Sequence, residues 1–179
     1  MLSYVLIIDK RKELSVKYKK SIDEEQTSAV IARTLKDAVA LVQESEPDLI
    51  IISDSIDEDL SNFCEKIRTL TYNTRPTIIA LSKSADTTDR IKVLASGADD
   101  FLSEPVNIEE FKMRIKAHLR RDIESNLNNV TLLPNKKYVY KAVRRLLHSE
   151  NKLAILLAGI ENLDNYKSCL LYTSDAADD

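Results

Sequence analysis

Residues 47–54 read PDLIIISD, and this run most constrains how the 179-residue chain can fold. Pro47 opens the run, apolar residues fill positions 49–52, and Ser53 and Asp54 close it. A short β-branched run without polar alternation is typical of a strand that is buried on both faces of a parallel sheet. In open α/β sheets, ligands and chemistry collect at the carboxyl ends of the strands. Asp54 is therefore the first candidate functional residue.

The rest of the first 127 residues alternates short apolar runs with helical patterns. Further strands are predicted at 4–8, 28–32, 77–81 and 99–103. Helices are predicted at 11–20, from Thr34 onward, and at 60–70, 86–96 and 107–127. Thr34 and Asn107 suit helix N-caps, and Gly97 suits a left-handed C-cap. Strand and helix alternate five times, which predicts an α/β fold with a doubly wound parallel sheet.

Composition excludes several classes of protein. With 44% hydrophobic residues, 31% charged residues and a net charge of -3, the chain is ordinary for a globular protein, and no nucleic acid or membrane partner is expected. No apolar run approaches a membrane span, and MLSYVLIIDK lacks the features of a signal peptide, so a cytoplasmic location is predicted. Cys64 and Cys169 have no metal-like spacing and are predicted to be free thiols. With only two glycines, the chain has no Gly-rich phosphate loop.

A second, shorter pattern follows the long helix. The predicted organisation is a first domain at 1–121, a helical linker at 122–129, and a partial second α/β domain at 130–168. That second domain contains the turn LLPNKK, a helix at 138–147 and an apolar strand at 153–157.

Residues 4–121 resemble a response-regulator receiver domain. VLIID matches the first acidic strand of that family, PDLIIISD the phospho-acceptor strand, and ALSKS the switch strand. ASGADDFLSEPV resembles the family segment AGADDYLTKPF and is the most specific match. The resemblance implies a five-stranded parallel sheet of flavodoxin-like order 2-1-3-4-5. It also implies a role in two-component signalling through aspartyl phosphorylation, with a histidine kinase or another signalling protein as partner.

The same resemblance assigns roles at the ends of the strands. Asp54 corresponds to the phospho-acceptor, because its spacing to Phe63 is that of the family; Ser53 is the competing register and cannot form an acyl phosphate. Asp9 corresponds to the first acid of the pocket. Asp9 and Asp54 would be the metal ligands if Mg²⁺ still binds, since Mg²⁺ prefers carboxylate oxygens and water.

Two pocket positions differ from the family. Lys10 replaces the second acid, which contacts the metal in the family, and Glu104 replaces the lysine. A charged lysine cannot ligate Mg²⁺ and would repel it. One interpretation is a reciprocal exchange, in which Lys10 pairs with Asp54 or Glu104 and fills the space of the metal. The alternative is two independent losses, with Lys10 pointing into solvent.

The remaining matches concern switching and assembly. Ser82 corresponds to the switch hydroxyl and Phe101 to the switch aromatic, although each also suits an ordinary strand or core residue. Pro105 corresponds to a cis-proline turn. A homodimer would use the face formed by the fourth helix, fifth strand and fifth helix.

Residues 126–167 resemble the opening of a diguanylate cyclase (GGDEF) domain. NNVTLLPNKKYVYKAV and ILLAGIENLDNYK carry this resemblance. Leu132 replaces a family glycine, Gly159 stands at the first metal-binding aspartate, and Glu161 at the next acid. The chain contains no GGDEF loop, so it is not expected to be an enzyme. Residues 169–179 do not continue the family and resemble either a translated sequencing-adapter read-through or a natural divergent tail.

Three functions remain open at this point. The first is a degenerate receiver that acts as a protein-interaction or regulatory module. The second is a phosphorylatable receiver with Asp54 as acceptor and bound Mg²⁺. The third is a fragment of a diguanylate cyclase whose catalytic loop is missing from this chain.

Overall fold

A computed structural model describes residues 3–23, 27–56, 58–84, 86–129 and 131–148, together with 154, 156, 158–159 and 161–162. The chain divides into two compact units, Met1–Arg145 and Leu146–Asp179. The first unit contains the sheet and its helices. In the second unit, the described residues beyond 148 are isolated positions outside any helix or strand.

The first unit is built on a five-stranded parallel sheet, as the sequence predicts. Its strands are β1 (Ser3–Ile8), β2 (Thr27–Ala32), β3 (Leu49–Ser53), β4 (Thr77–Ser82) and β5 (Asp100–Ser103). Their order is β2-β1-β3-β4-β5, and every neighbouring pair is parallel. The predicted fold class and strand order are therefore confirmed.

Within the described residues, six helices connect or follow the strands. They are α1 (Lys12–Ile22), α2 (Leu35–Ser45), α3 (Leu60–Leu70), α4 (Thr87–Ala95), α5 (Ile108–Ser125) and α6 (Lys136–His148). The side chains of Thr34 and Asn107 accept backbone N–H groups of α2 and α5, which are the two predicted caps. After α4, Gly97 has a φ of 107°, the left-handed conformation expected of it.

Both faces of the sheet are buried, which explains the unbroken apolar character of β3. All five residues of β3 are buried. Ile50 and Ile52 point into a cluster that includes Phe63 of α3, while Leu49 and Ile51 point into the opposite cluster with Phe111 of α5. Because successive strand residues alternate between faces, a strand between two helical layers must be apolar at every position.

The region after α5 contains α6, and the compact first unit continues through Arg145. Within that unit, Lys141 pairs with Asp48, which precedes β3, and Arg145 donates to the Ser45 carbonyl at the end of α2. The domain boundaries at 121, 130 and 168 stay predictions. The predicted strand at 153–157 falls on a stretch of which only 154 and 156 are described, and the tail at 169–179 lies outside the described residues.

Candidate functional site

The carboxyl ends of β3 and β4 bring Asp54 beside a hydroxyl. Asp54 directly follows β3, and its backbone N–H donates to the carbonyl of Leu81 (2.9 Å). The Ser82 Oγ donates to Asp54 Oδ2 (2.9 Å), and the Lys83 N–H donates to the same oxygen (2.7 Å). The structure thus brings together the two residues that the sequence assigned to acceptor and switch, with Asp54 half-buried at the pocket and Ser53 fully buried.

A cavity of about 240 Å³ lies next to this pair. Asp54, Ser82 and Phe101 line it together with Glu58 and Asp89. The Glu58 Oε2 is a buried oxygen without a hydrogen-bond partner. Phe101 is only 5% exposed, and the Arg90 guanidinium lies 5.9 Å from its ring centroid. Small groups can therefore reach Asp54 from a predominantly acidic cavity.

Arg11 forms the second half of the site, at the end of β1. Its Nε donates to Asp9 Oδ1 (3.0 Å) and its Nη2 donates to Asp9 Oδ2 (2.7 Å). Nη1 and Nη2 also donate to Glu104 Oε2 and Oε1 at 2.5 and 2.8 Å. One guanidinium thus bridges two carboxylates, the geometry for which its planar fork is suited.

Neighbouring hydroxyls complete this arrangement. Arg11 Nη2 donates to the Ser53 Oγ (2.6 Å), and the Ser55 Oγ donates to Asp9 Oδ1 (2.8 Å). The Tyr18 hydroxyl donates to Glu104 Oε1 (3.1 Å). The Asp9 and Glu104 side chains are 1% and 5% exposed, so both carboxylates depend on these donors.

The charges in this cluster stabilise one another. Burial alone raises the pKa of Asp9, but the hydrogen bonds from Arg11 and Ser55 outweigh it and hold that pKa below its usual value. The pKa of Arg11 is raised by its bonds to Asp9 and Glu104. Burial and the neighbouring Glu104 carboxylate raise the pKa of Tyr18. Asp9 therefore stays ionised and Arg11 charged in the folded protein.

The exchange predicted between Lys10 and Glu104 stays a prediction, although Glu104 has another cation as its partner among the described residues. The Lys10 side chain is exposed, and its backbone N–H donates to the Ser55 Oγ (3.1 Å). Arg11, one residue later, is the cation that pairs with Glu104.

Pro105 occupies the position that the resemblance gave it. The Glu104–Pro105 peptide bond is cis, and the Glu104 N–H donates to the carbonyl of Ser82 (2.7 Å). The turn after β5 is thereby attached to the end of β4, and it holds the Glu104 carboxylate over the pocket.

The residues present do not fit a magnesium site of the kind that the resemblance implies. Both oxygens of Asp9 accept from Arg11, and position 10 supplies a lysine. Asp54 belongs to a separate hydrogen-bond group with Ser82 and Lys83. Across the part of the chain that the structure describes, no three Asp, Glu, His or Cys side chains are arranged to hold a metal ion. A cation at this site would have to displace the Arg11 guanidinium first.

Sequence reasoning missed Arg11, Ser55 and Tyr18. Arg11 was assigned to the start of a surface helix, and 93 residues separate it from Glu104. One signal was available: Arg11 is a long cation two residues after the Asp9 carboxylate, close enough in sequence to fold back over it. Contacts between positions so far apart depend on the tertiary fold, which places β1 and the turn after β5 at the same edge of the sheet.

The fold and site together define a doubly wound α/β domain with an acidic pocket at the carboxyl edge of its sheet. The family model of the response regulator receiver domain matches residues 5–116. The chain therefore belongs to this family and carries the receiver domain of a two-component response regulator.

Individual relatives agree with this assignment. The transcriptional regulatory protein YvrH of Bacillus subtilis is 30% identical over 139 residues, which cover 76% of this chain and 55% of that protein. The response regulator ArlR of Staphylococcus aureus is 38% identical over 104 residues, covering 55% of this chain and 46% of that protein. The crystal structure of a two-component response regulator from Clostridium difficile is similar with a TM-score of 0.62 at 30% identity, covering 66% of this chain and 97% of that one.

The chain spans about half the length of several curated relatives, with 55%, 53% and 54% of their sequences covered. Among the described residues, no helix is both long and apolar enough to span a bilayer.

Proposed function

We propose that this receiver works as a protein-interaction module whose phosphorylation chemistry is weakened by Arg11. The observation that carries the proposal is the bridge from Arg11 to both Asp9 and Glu104. In receivers of ordinary sequence, a metal ion and a lysine supply positive charge beside the acceptor. Here a guanidinium tied to two carboxylates supplies the positive charge of the pocket.

The geometry supports weakened chemistry because the charge on Arg11 is already committed. Its guanidinium is balanced by two carboxylates, and its side chain is only 24% exposed. A phosphoryl group adds negative charge next to Asp54 and needs a cation free to approach it. Releasing Arg11 for that purpose would leave two buried carboxylates without their main partner, which is costly.

Phosphorylation of the full chain tests this proposal. The protein is incubated with Mg²⁺ and acetyl phosphate, and the change in its intact mass on treatment is measured beside that of Asp54→Asn. We expect at most a small fraction of the wild-type chain, and none of the variant, to gain a phosphoryl group. Near-complete phosphorylation of the wild-type chain that is lost in Asp54→Asn would overturn the proposal.

A working phospho-acceptor is the second candidate, and the surroundings of Asp54 favour it. The two described hydrogen bonds to this carboxylate both end on Oδ2, and Asp54 lines the cavity. In this function, Oδ1 would attack the phosphorus of the phosphohistidine of a histidine kinase, forming an acyl phosphate as the nitrogen–phosphorus bond breaks and the kinase histidine leaves. The phosphorylation experiment above separates the two candidates.

The region after the receiver is proposed to be the beginning of a degenerate GGDEF-like domain. The resemblance of residues 126–167 supports this, and so does Leu132, whose φ of 54° lies in the left-handed region that favours the glycine of the family. Without a GGDEF loop in this chain, no cyclase activity is proposed. Sequencing of the gene beyond Lys167 tests this directly, because an intact cyclase would carry the loop further along.

The proposed partners are a histidine kinase or another signalling protein, and a second copy of this chain. Ile91 and Met113 are 60% and 55% exposed on α4 and α5, the face expected to dimerise. The absence of a nucleic-acid partner remains a prediction, since several relatives are named transcriptional regulatory proteins and this chain spans about half of their length. Sedimentation of the full chain with and without duplex DNA measures both dimerisation and DNA binding.

A further inference from the structure

Helix α6 presents a basic stripe to the sheet edge opposite the Asp54 site. Lys137, Lys141 and Arg145 are spaced four residues apart and therefore share one face of the helix. That face lies against the amino-terminal ends of β1 and β3, where Asp48 precedes β3.

Asp48 receives two cations from this stripe. Lys141 Nζ lies 2.5 Å from Asp48 Oδ1, and Arg145 Nη1 lies 3.0 Å from Oδ2. The three side chains are only 10%, 19% and 5% exposed for lysine, arginine and aspartate. The Tyr4 N–H also donates to Asp48 Oδ2 (2.7 Å), so the carboxylate connects α6 to β1. Ion pairs this well shielded are screened by salt much less than surface pairs.

Arg145 makes further contacts at the end of α2. Its Nε donates to the carbonyl of Ser45 (3.2 Å) and its Nη2 donates to that of Glu46 (2.5 Å). These carbonyls belong to the helix C-terminus, where the helix dipole favours positive charge. The guanidinium also lies 5.8 Å from the ring centroid of Tyr4, and Arg144 pairs with the Glu46 carboxylate.

We infer that α6 is an intramolecular partner of the receiver, clamped by Lys141 and Arg145 onto Asp48 and the C-terminus of α2. The clamp holds the segment from the end of α5 to Arg145 against the receiver. It lies at the amino-terminal ends of the strands, whereas Asp54 lies at the carboxyl ends, so it does not depend on phosphorylation of Asp54. Undocking requires both cations to leave together, because either one remaining would keep the Asp48 carboxylate paired. The helix is therefore either docked or released.

Hydrogen exchange of the full chain tests the clamp. In Lys141→Gln/Arg145→Gln, we expect amides of residues 136–145 to exchange at least about tenfold faster, while β1, β3 and β4 keep their wild-type protection. The matched control is Lys136→Gln/Arg144→Gln, which removes the same charge from the same helix but leaves Asp48 paired. Its effect is expected to be no more than about threefold, because the ion pair that it breaks involves an arginine that is 63% exposed.

A substitution of Asp48, the acceptor of both cations, provides an independent check. Asp48→Asn keeps an oxygen for the Tyr4 N–H and removes the charge, so it should release α6 as the double variant does. The inference is overturned if the double variant exchanges no faster than its control. It is equally overturned if α6 and the central strands lose protection together, since that would mean general destabilisation.

Discussion

Arg11 determines what the acidic residues of the pocket can still do. It holds Asp9 by both oxygens and Glu104 by both oxygens, and it reaches Ser53. A carboxylate engaged in this way contributes to the stability of the fold, and its oxygens are already occupied by hydrogen bonds. The same residue therefore has two consequences, one for stability and one for metal binding.

Removing Arg11 should destabilise the receiver. We expect Arg11→Ala to lower the free energy of unfolding by about 3 kcal/mol, because two nearly buried carboxylates lose their shared cation. The free energy of unfolding of Arg11→Lys should lie between those of wild type and Arg11→Ala, since an ammonium keeps the charge but lacks the planar fork of the guanidinium. Urea denaturation at neutral pH measures both. The control is the exposed neighbour, Lys10→Ala, with an expected loss below about 1 kcal/mol; equal losses at positions 10 and 11 would contradict the assigned role.

Arg11 should also be the obstacle to magnesium. Lys10→Asp/Glu104→Lys restores the family's charges but leaves Arg11 on Asp9, whereas adding Arg11→Ala frees the Asp9 oxygens. We expect Mg²⁺ to raise the thermal midpoint of the triple variant more than that of the double variant, because a ligand that binds only the folded state stabilises it. Ca²⁺ at equal ionic strength checks for a general salt effect. If Mg²⁺ raises the thermal midpoint of the double variant as much as that of the triple variant, Arg11 is not the obstacle to Mg²⁺ binding.

At the scale of single elements, one arginine ties α3 to two loops. Arg68 Nε donates to the Gly97 carbonyl (2.7 Å), Nη1 to that of Pro76 (2.6 Å), and Nη2 to Asp99 Oδ2 (2.5 Å). A Cβ added at Gly97 would lie 2.7 Å from the Arg68 Cγ, so the glycine allows both the φ of 107° and the close approach of this side chain. The loops before β4 and β5 are therefore held by the same guanidinium.

Loss of the Arg68 contacts should lower the free energy of unfolding and change the Asp54 site less. Arg68→Met keeps much of the apolar stem but leaves two carbonyls without their donor, which we expect to cost about 1–3 kcal/mol. Guanidinium chloride denaturation measures the loss. Arg120→Met on the exposed face of α5 is the matched control, and it should change stability by less than about 1 kcal/mol. A similar loss in both variants would show that the tie contributes little.

The elements themselves were largely predictable, and their polar contacts were not. The helix predicted at 60–70 is α3 to the residue, and the Thr34 and Asn107 caps are formed as expected. These features depend on local periodicity and on hydrogen bonds within three residues. The strand order came from the family resemblance, since periodicity alone does not set it. Arg11 with Glu104 and Lys141 with Asp48 each join residues 93 positions apart, which no local pattern indicates.

At the scale of the whole molecule, buried carboxylates paired with basic side chains lie at both ends of the central strands, the carboxyl end and the amino end. Asp9 with Arg11 lies at the carboxyl edge, and Asp48 with Lys141 and Arg145 at the amino edge. Each cation comes from a segment that follows a strand or the last receiver helix. The apolar layers determine the fold, while these pairs attach the loops and α6 to it.

This arrangement predicts a loss of stability in acid. Burial alone raises the pKa of Asp48, but Lys141 and Arg145 bring it below its usual value, and the pKa of Asp9 is also lowered by its partners. A folded-state pKa below the unfolded one, about 3.9, gives stability that is present above that value and is lost as pH falls through the folded pKa. Asp122 acts in the opposite direction, because burial raises its pKa.

Asp48→Asn isolates one part of this pH dependence. We expect the difference in unfolding free energy between wild type and variant to be large at about pH 6 and to shrink below about pH 4, since protonated aspartic acid loses the ion pairs that asparagine never makes. Denaturation of the full chain, followed by circular dichroism at each pH, gives this difference. Asp37→Asn, at an exposed position on α2, provides the control and should track wild type throughout. A wild-type advantage over Asp48→Asn that persists undiminished in acid would mean that the Asp48 carboxylate contributes through its shape and its Tyr4 hydrogen bond, and that its charge has no part in holding α6.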